Sequence, residues 1–114
     1  MIQADIVLDE AGLLRSCRVH GHAGAGVKGS DIVCAAVSVL TRTIVRVLSE
    51  QKDITIRGSI PGLGNFQLEV DYKKEGREFL DAAGAFLSEG LLSVAEEFPE
   101  NCKVNIERRN FHGT

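Results

Sequence analysis

The first residues of the chain alternate. Ile2, Ala4, Ile6 and Leu8 are spaced by Gln3, Asp5 and Val7. A period of two puts each set on its own face of a strand. A strand with one dry face belongs to a sheet that is covered on one side and open to water on the other. The pattern recurs. Leu13, Cys17 and Val19 oppose Ser16, Arg18 and His20, and Phe66, Leu68, Val70 and Tyr72 oppose Gln67, Glu69 and Asp71. Ile54 and Ile56 begin another strand, and Val104 and Ile106 mark a short last one. Pro61-Gly62 is a type II turn pair, so the strands on either side of it form an antiparallel hairpin.

Two segments switch to helical spacing. The first is capped at Ser30 or Asp31 and runs to about Glu50. The second carries Phe79, Ala83, Phe86, Leu87, Val94 and Phe98 and ends at Pro99. The order is ββαββαβ. It predicts a two-layer α+β domain, a largely antiparallel sheet with two helices packed on one face. The 114 residues suffice for one domain, 1–114, and no linker, long repeat or low-complexity segment divides them. The first helix begins with Ile32, Val33, Ala35, Ala36, Val37, Val39 and Leu40, apolar nearly all round. Such a helix is covered on all sides, by its own sheet and partner helix or by a second subunit. The tail from Asn110 reads as loose.

Composition narrows the function classes. Formal net charge is −3 and no basic run stands out, so direct nucleic-acid binding is not expected. The longest wholly apolar run, "IVCAAV", has six residues, against about 20 for a membrane span. The start, "MIQADIVLDE", has neither the basic nor the apolar part of a secretory signal. Three cysteines without close spacing do not make a disulfide framework. A cytoplasmic protein without membrane contact is expected.

The chemistry gathers in "HGHAGAGVKGSDIVCAAVS", His20 to Ser38. Gly24, Gly26 and Gly29 match the letters of the dinucleotide fingerprint, but the neighbouring strands are hairpin strands and not a parallel βαβ unit. Lys28 precedes Gly29, so the phosphate-loop order is absent. His20, His22 and Cys34 have the residue types of an open zinc site, but the glycines end the strand and no glutamate in the loop serves as base. No metal or other cofactor is expected. The third reading is a thiol and an imidazole. Near a helix start the unpaired N–H groups and the partial positive charge favour a thiolate, and the Cα–Cβ bond points Cys34 back at the incoming loop. His22 is then base and later acid, Cys34 the nucleophile, and the Cys34 N–H a candidate oxyanion donor. Asp31 either orients His22 or caps the helix. Ser38, at i+4, either meets the sulfur or bonds back to a carbonyl. Against this, a cysteine followed by Ala-Ala-Val is also an ordinary small core residue. Cys17, on an apolar strand face, and Cys102, at the start of the last strand, read as structural.

Gly21, His22 and Ala23, then Gly29, then "DIVCAAVS" from Asp31 to Ser38, resemble the ribosomal-processing cysteine protease Prp family. The resemblance is sharp over residues 20–40 and fits the rest of the chain in outline. It implies a cytoplasmic, homodimeric endopeptidase with a His22–Cys34 dyad. The implied substrate is the N-terminal extension of a large-subunit ribosomal protein (number twenty-seven), cut after a phenylalanine. Asp31, Ser38 and Gly21 carry over as matched positions in supporting roles. The rival class is a non-enzymatic homodimeric interaction module associated with ribosome assembly, whose loop only packs the helix start. Residues 23–29, with little to bury, are expected to form a mobile loop.

Overall fold

The computed structural model describes residues 1–21, 30–59 and 65–111, with the backbone alone at Ser30, Asp31 and Ser59. The Pro61-Gly62 turn, the 23–29 loop and His112 lie outside the described residues. Five strands, Ile2–Leu8 (β1), Leu14–His20 (β2), Ile54–Ser59 (β3), Asn65–Tyr72 (β4) and Cys102–Arg108 (β5), and two helices, Ser30–Ser49 (α1) and Arg77–Glu97 (α2), follow the expected order. They form one sheet with strand order β3-β4-β2-β1-β5. The pairs β1/β2, β2/β4 and β3/β4 are antiparallel, and β5 joins β1 in parallel. The α+β reading holds.

Register sets the two faces. Ala4, Val19 and Phe66 lie in one row across the sheet, and Ile6, Cys17 and Leu68 in the next. All six are buried. Val33, Val37, Ile44 and Leu48 of α1 and Leu80, Leu87 and Leu91 of α2 close over these rows in a single core. The opposite face carries Gln3, Asp5, Arg18, His20, Gln67 and Asn105 and stays open.

Two details differ from the sequence reading, and a third is refined. The register shifts between Val7 and Leu8, so Leu8 faces Leu14 and Arg15 is the extra residue of a bulge. Leu13 and Leu14 are therefore both buried. On α2 the buried stripe is Leu80, Gly84, Leu87 and Leu91, while Phe79 and Phe86 are exposed. A Cβ at Gly84 would come within 3.1 Å of the Leu14 Cβ, so the glycine lets α2 pack close against β2. Of the two covers expected for the start of α1, the sheet and partner helix supply only part, since Ile32 and Val39 are more than half exposed in the single chain. Residues Ile32–Ser49, with mean hydropathy 1.8, are long and apolar enough to cross a membrane. In this fold their Val33, Val37, Ile44 and Leu48 stripe packs on the sheet.

The "DEAG" turn is held from inside. The Asp9 carboxylate is buried and accepts from the Ala11 and Leu13 N–H groups at 3.0 Å and from the Tyr72 hydroxyl at 2.5 Å. Burial pushes the Asp9 carboxyl up, but these hydrogen bonds and the Arg15 charge outweigh it, leaving it below its ordinary value. The Tyr72 phenol is pushed up to about 12 by burial and by its bond to Asp9. The tail is pinned further than expected. The Arg109 N–H donates to the Leu8 carbonyl, and the Arg15 guanidinium lies 4.4 Å from the centre of the Phe111 ring.

Candidate active site

The site is built where β2 ends. Val19 points into the core, so the next residue, His20, points to the open face. Gly21 then turns the chain with φ +95°. A Cβ there would lie 2.3 Å from the Met1 carbonyl oxygen, inside any allowed contact. Glycine is the only residue that fits both the backbone angle and the space. His22 follows directly and lies outside the described residues.

Helix α1 begins at Ser30, one residue before the later of the two expected caps and at the earlier one. Both therefore sit inside the first turn, not before it, and the Asp31 side chain lies outside the described residues. Cys34 is the fifth helical residue. By helix geometry its N–H pairs with the Ser30 carbonyl, so it is not the free oxyanion donor expected of it. The N–H groups of residues 30–32, one turn earlier, have no acceptor within Ser30–Ser49 and lie on the side toward which the Cys34 side chain tilts. Ser38 is exposed one turn on, and its carbonyl accepts from the Thr41 hydroxyl at 3.1 Å and from Arg42 Nε at 3.3 Å.

The three thiols are free and differ in setting. Cys17 is fully buried, and burial followed by the nearby Asp5 charge pushes its thiol up to about 12. Burial also raises Cys102. A thiol of this kind stays protonated and inert at neutral pH. Cys34 is half-buried, packed against the core on one side and open on the other.

His20 is engaged elsewhere. Its Nε2 lies 3.2 Å from Asp5 Oδ2 on the open face, and Asp5 also accepts from Gln3 Nε2 and Asn105 Nδ2. Burial raises the Asp5 carboxyl, and the bonds from Asn105, Gln3 and His20 with the His20 charge outweigh it, so it rests below its ordinary value. The sheet stands between His20 and the helix that carries Cys34. The zinc arrangement of His20 with Cys34 therefore does not form. This His20–Asp5 pair was missed in the sequence. Its signal was the register of β1 on β2, which a single strand does not reveal.

Comparison with known proteins adds four findings. The family model described as cysteine protease Prp matches residues 1–103. The ribosomal processing cysteine protease Prp of Staphylococcus aureus (strain NCTC 8325) is 28% identical over 110 residues, covering 92% of this chain and 98% of that protein. Among solved structures, SMU.848 from Streptococcus mutans superimposes with a TM-score of 0.78 at 31% identity over 95% of each chain. An essential ribosomal processing protease Prp from S. aureus, solved with a substrate peptide, shares the fold with a TM-score of 0.78 at 22% identity, over 93% of this chain and 99% of that one.

Proposed function

This chain belongs to the cysteine protease Prp family, and from that premise we propose that it removes the N-terminal extension of a large-subunit ribosomal protein (number twenty-seven), cutting after phenylalanine with a His22–Cys34 dyad. The observation that carries the reading is the contrast among the thiols: Cys17 and Cys102 are buried and raised, whereas Cys34 is half-open at the start of α1.

The chemistry follows from the roles. His22 takes the Cys34 thiol proton, and the sulfur attacks the carbonyl carbon of the phenylalanine. The resulting oxyanion meets the N–H groups of the first turn of α1, residues 30–32. Collapse breaks the C–N bond, and His22 gives its proton to the leaving amine. His22 then deprotonates water, which attacks the thioester and frees the acid and the thiol. Asp31 and Ser38 support this pair, and Gly21 sets the turn that precedes the base.

The same reading includes a cytoplasmic homodimer. Val39, Thr43, Phe79 and Phe86 line an apolar groove of about 560 Å³ between α1 and α2. Phe86, 72% exposed, is the most exposed aromatic on it. This groove is the seat we assign to the second copy, because monomers rarely leave a contiguous apolar patch of this kind in water.

The test is incubation of wild type and variants with the extended ribosomal protein, read by mass spectrometry for a new N-terminus after phenylalanine. Cys34→Ser and His22→Ala are expected to lose cleavage while keeping the fold, and Cys17→Ser and Cys102→Ser to keep it. Undiminished cleavage by Cys34→Ser would refute the dyad.

A further inference from the structure

Cleavage at Cys34 leaves open what else on the surface holds the peptide. A helix turns about 100° per residue. Cys34 and Val45, eleven positions apart, therefore return to almost the same angle. Both are half-buried, and Ser38 and Thr41 lie between them on the same flank. That flank faces the edge of the sheet. Val45 shares a pocket of about 150 Å³ with Ile56, Arg57 and Gly58 of β3 and Phe66, Gln67 and Leu68 of β4, so apolar walls meet a polar rim. A volume near this is on the scale of one benzene ring, so the pocket has room for a single large apolar side chain set between Val45 and Ile56. Gly58 keeps β3 close to β4, since a Cβ there would lie 2.0 Å from the Gln67 carbonyl oxygen. β3 is one of the two edge strands of the sheet, and among the described residues no strand pairs with its far edge. An extended peptide laid along such an edge gains hydrogen bonds and drops alternate side chains into pockets.

We propose that this cavity is a specificity subsite for one aromatic or branched aliphatic side chain of the peptide substrate, with Val45 and Ile56 as its opposed walls. The proposal rests on the peptidase reading above and adds a second anchoring point to it. The distance fixes the register. Cys34 and Val45 are about 16 Å apart along the helix, which an extended peptide spans in about five residues. The side chain in question therefore lies some four to six residues from the cut.

The experiment separates binding from cutting. A fluorescein-labelled peptide spanning the extension and the cleavage point is prepared, with a set in which each large apolar residue is changed in turn to glycine. Affinities for the full-length Cys34→Ser protein are read by fluorescence anisotropy, and cleavage by wild type is read separately. One glycine change, four to six residues from the cut, is expected to weaken binding roughly tenfold or more, as loss of a buried large apolar side chain does. In Val45→Phe and Ile56→Phe backgrounds, checked for fold by circular dichroism, the unchanged peptide is expected to bind that much less tightly, and the same glycine change to make under about a twofold difference. A glycine effect of the same size in both filled variants, or no sensitive position at that distance, overturns the subsite. Absence of cleavage by wild type overturns the processing reading instead, and absence of any binding overturns both.

Discussion

Replacing Gly21 with alanine tests how the turn before His22 is held. Two costs arise together. At φ +95° an L side chain is strained, by about 1–2 kcal/mol. The new Cβ would also lie 2.3 Å from the Met1 carbonyl oxygen, and because that atom is backbone, β1 and β2 must part where Gln3 faces His20. Overpacking of this kind costs about 1–3 kcal/mol. The sum, about 2–5 kcal/mol, is a large share of the roughly 5–15 kcal/mol that a domain of this size has in total. At about 4 °C per kcal/mol, Tm is expected to fall by roughly 8–20 °C. The assay is urea unfolding followed by circular dichroism, with hydrogen exchange at the Gln3 and His20 amides. A loss below about 1 kcal/mol with unchanged exchange at those amides would show that the strand end has room, and the close approach to Met1 would be wrong.

Further outcomes can be checked. The chain has one tyrosine and no tryptophan, so absorbance near 295 nm reads Tyr72 alone, and its ionisation is expected near 12 in the folded protein. Since that folded value lies above the unfolded one of about 10, its contribution to stability is complete below pH 10 and fades as pH rises toward 12, which alkaline unfolding curves will show. Tyr72→Phe leaves a buried carboxylate oxygen of Asp9 short of a donor and is expected to cost about 1–3 kcal/mol in urea unfolding. Brief iodoacetamide treatment at pH 7 is expected to label Cys34 alone, seen as one adduct per chain by peptide mapping, because Cys17 and Cys102 are buried. Leu48→Ala removes a fully buried side chain between helix and sheet and is expected to cost about 2–5 kcal/mol in the same unfolding assay.

The strands were legible because a period of two needs only local residues. The bulge at Arg15 was not, since one extra residue is decided by the partner strand. Nor was the direction of β5, because nothing within Cys102–Arg108 records which neighbour it meets. The phenylalanines of α2 misled the choice of stripe. Hydrophobicity ranks Phe79 and Phe86 first, but the helix buries the flatter Leu80, Gly84, Leu87 and Leu91 side, where a glycine admits Leu14. At the site, the contrast of Cys34 with Cys17 and Cys102 could be read from sequence neighbours. The helix start could not be placed to the residue, and that single step moved Cys34 from the first turn to the second and its N–H into the helix ladder.

The parallel pairing of β5 with β1 has a consequence for synthesis. Ile2 meets Cys102 and Leu8 meets Arg108, so β1 lacks its second neighbour until about a hundred more residues have emerged. Until then an interior strand is exposed as a rim. Contacts between such distant segments form late, and a bare rim invites pairing with other nascent copies. The carboxylate of Asp5, which in the finished sheet collects Asn105 from β5, stands on that rim first, with only Gln3 and His20 from β1 and β2 beside it. A charge there discourages premature partners. The same atom that later fastens the last strand thus guards its place while the ribosome is still making it.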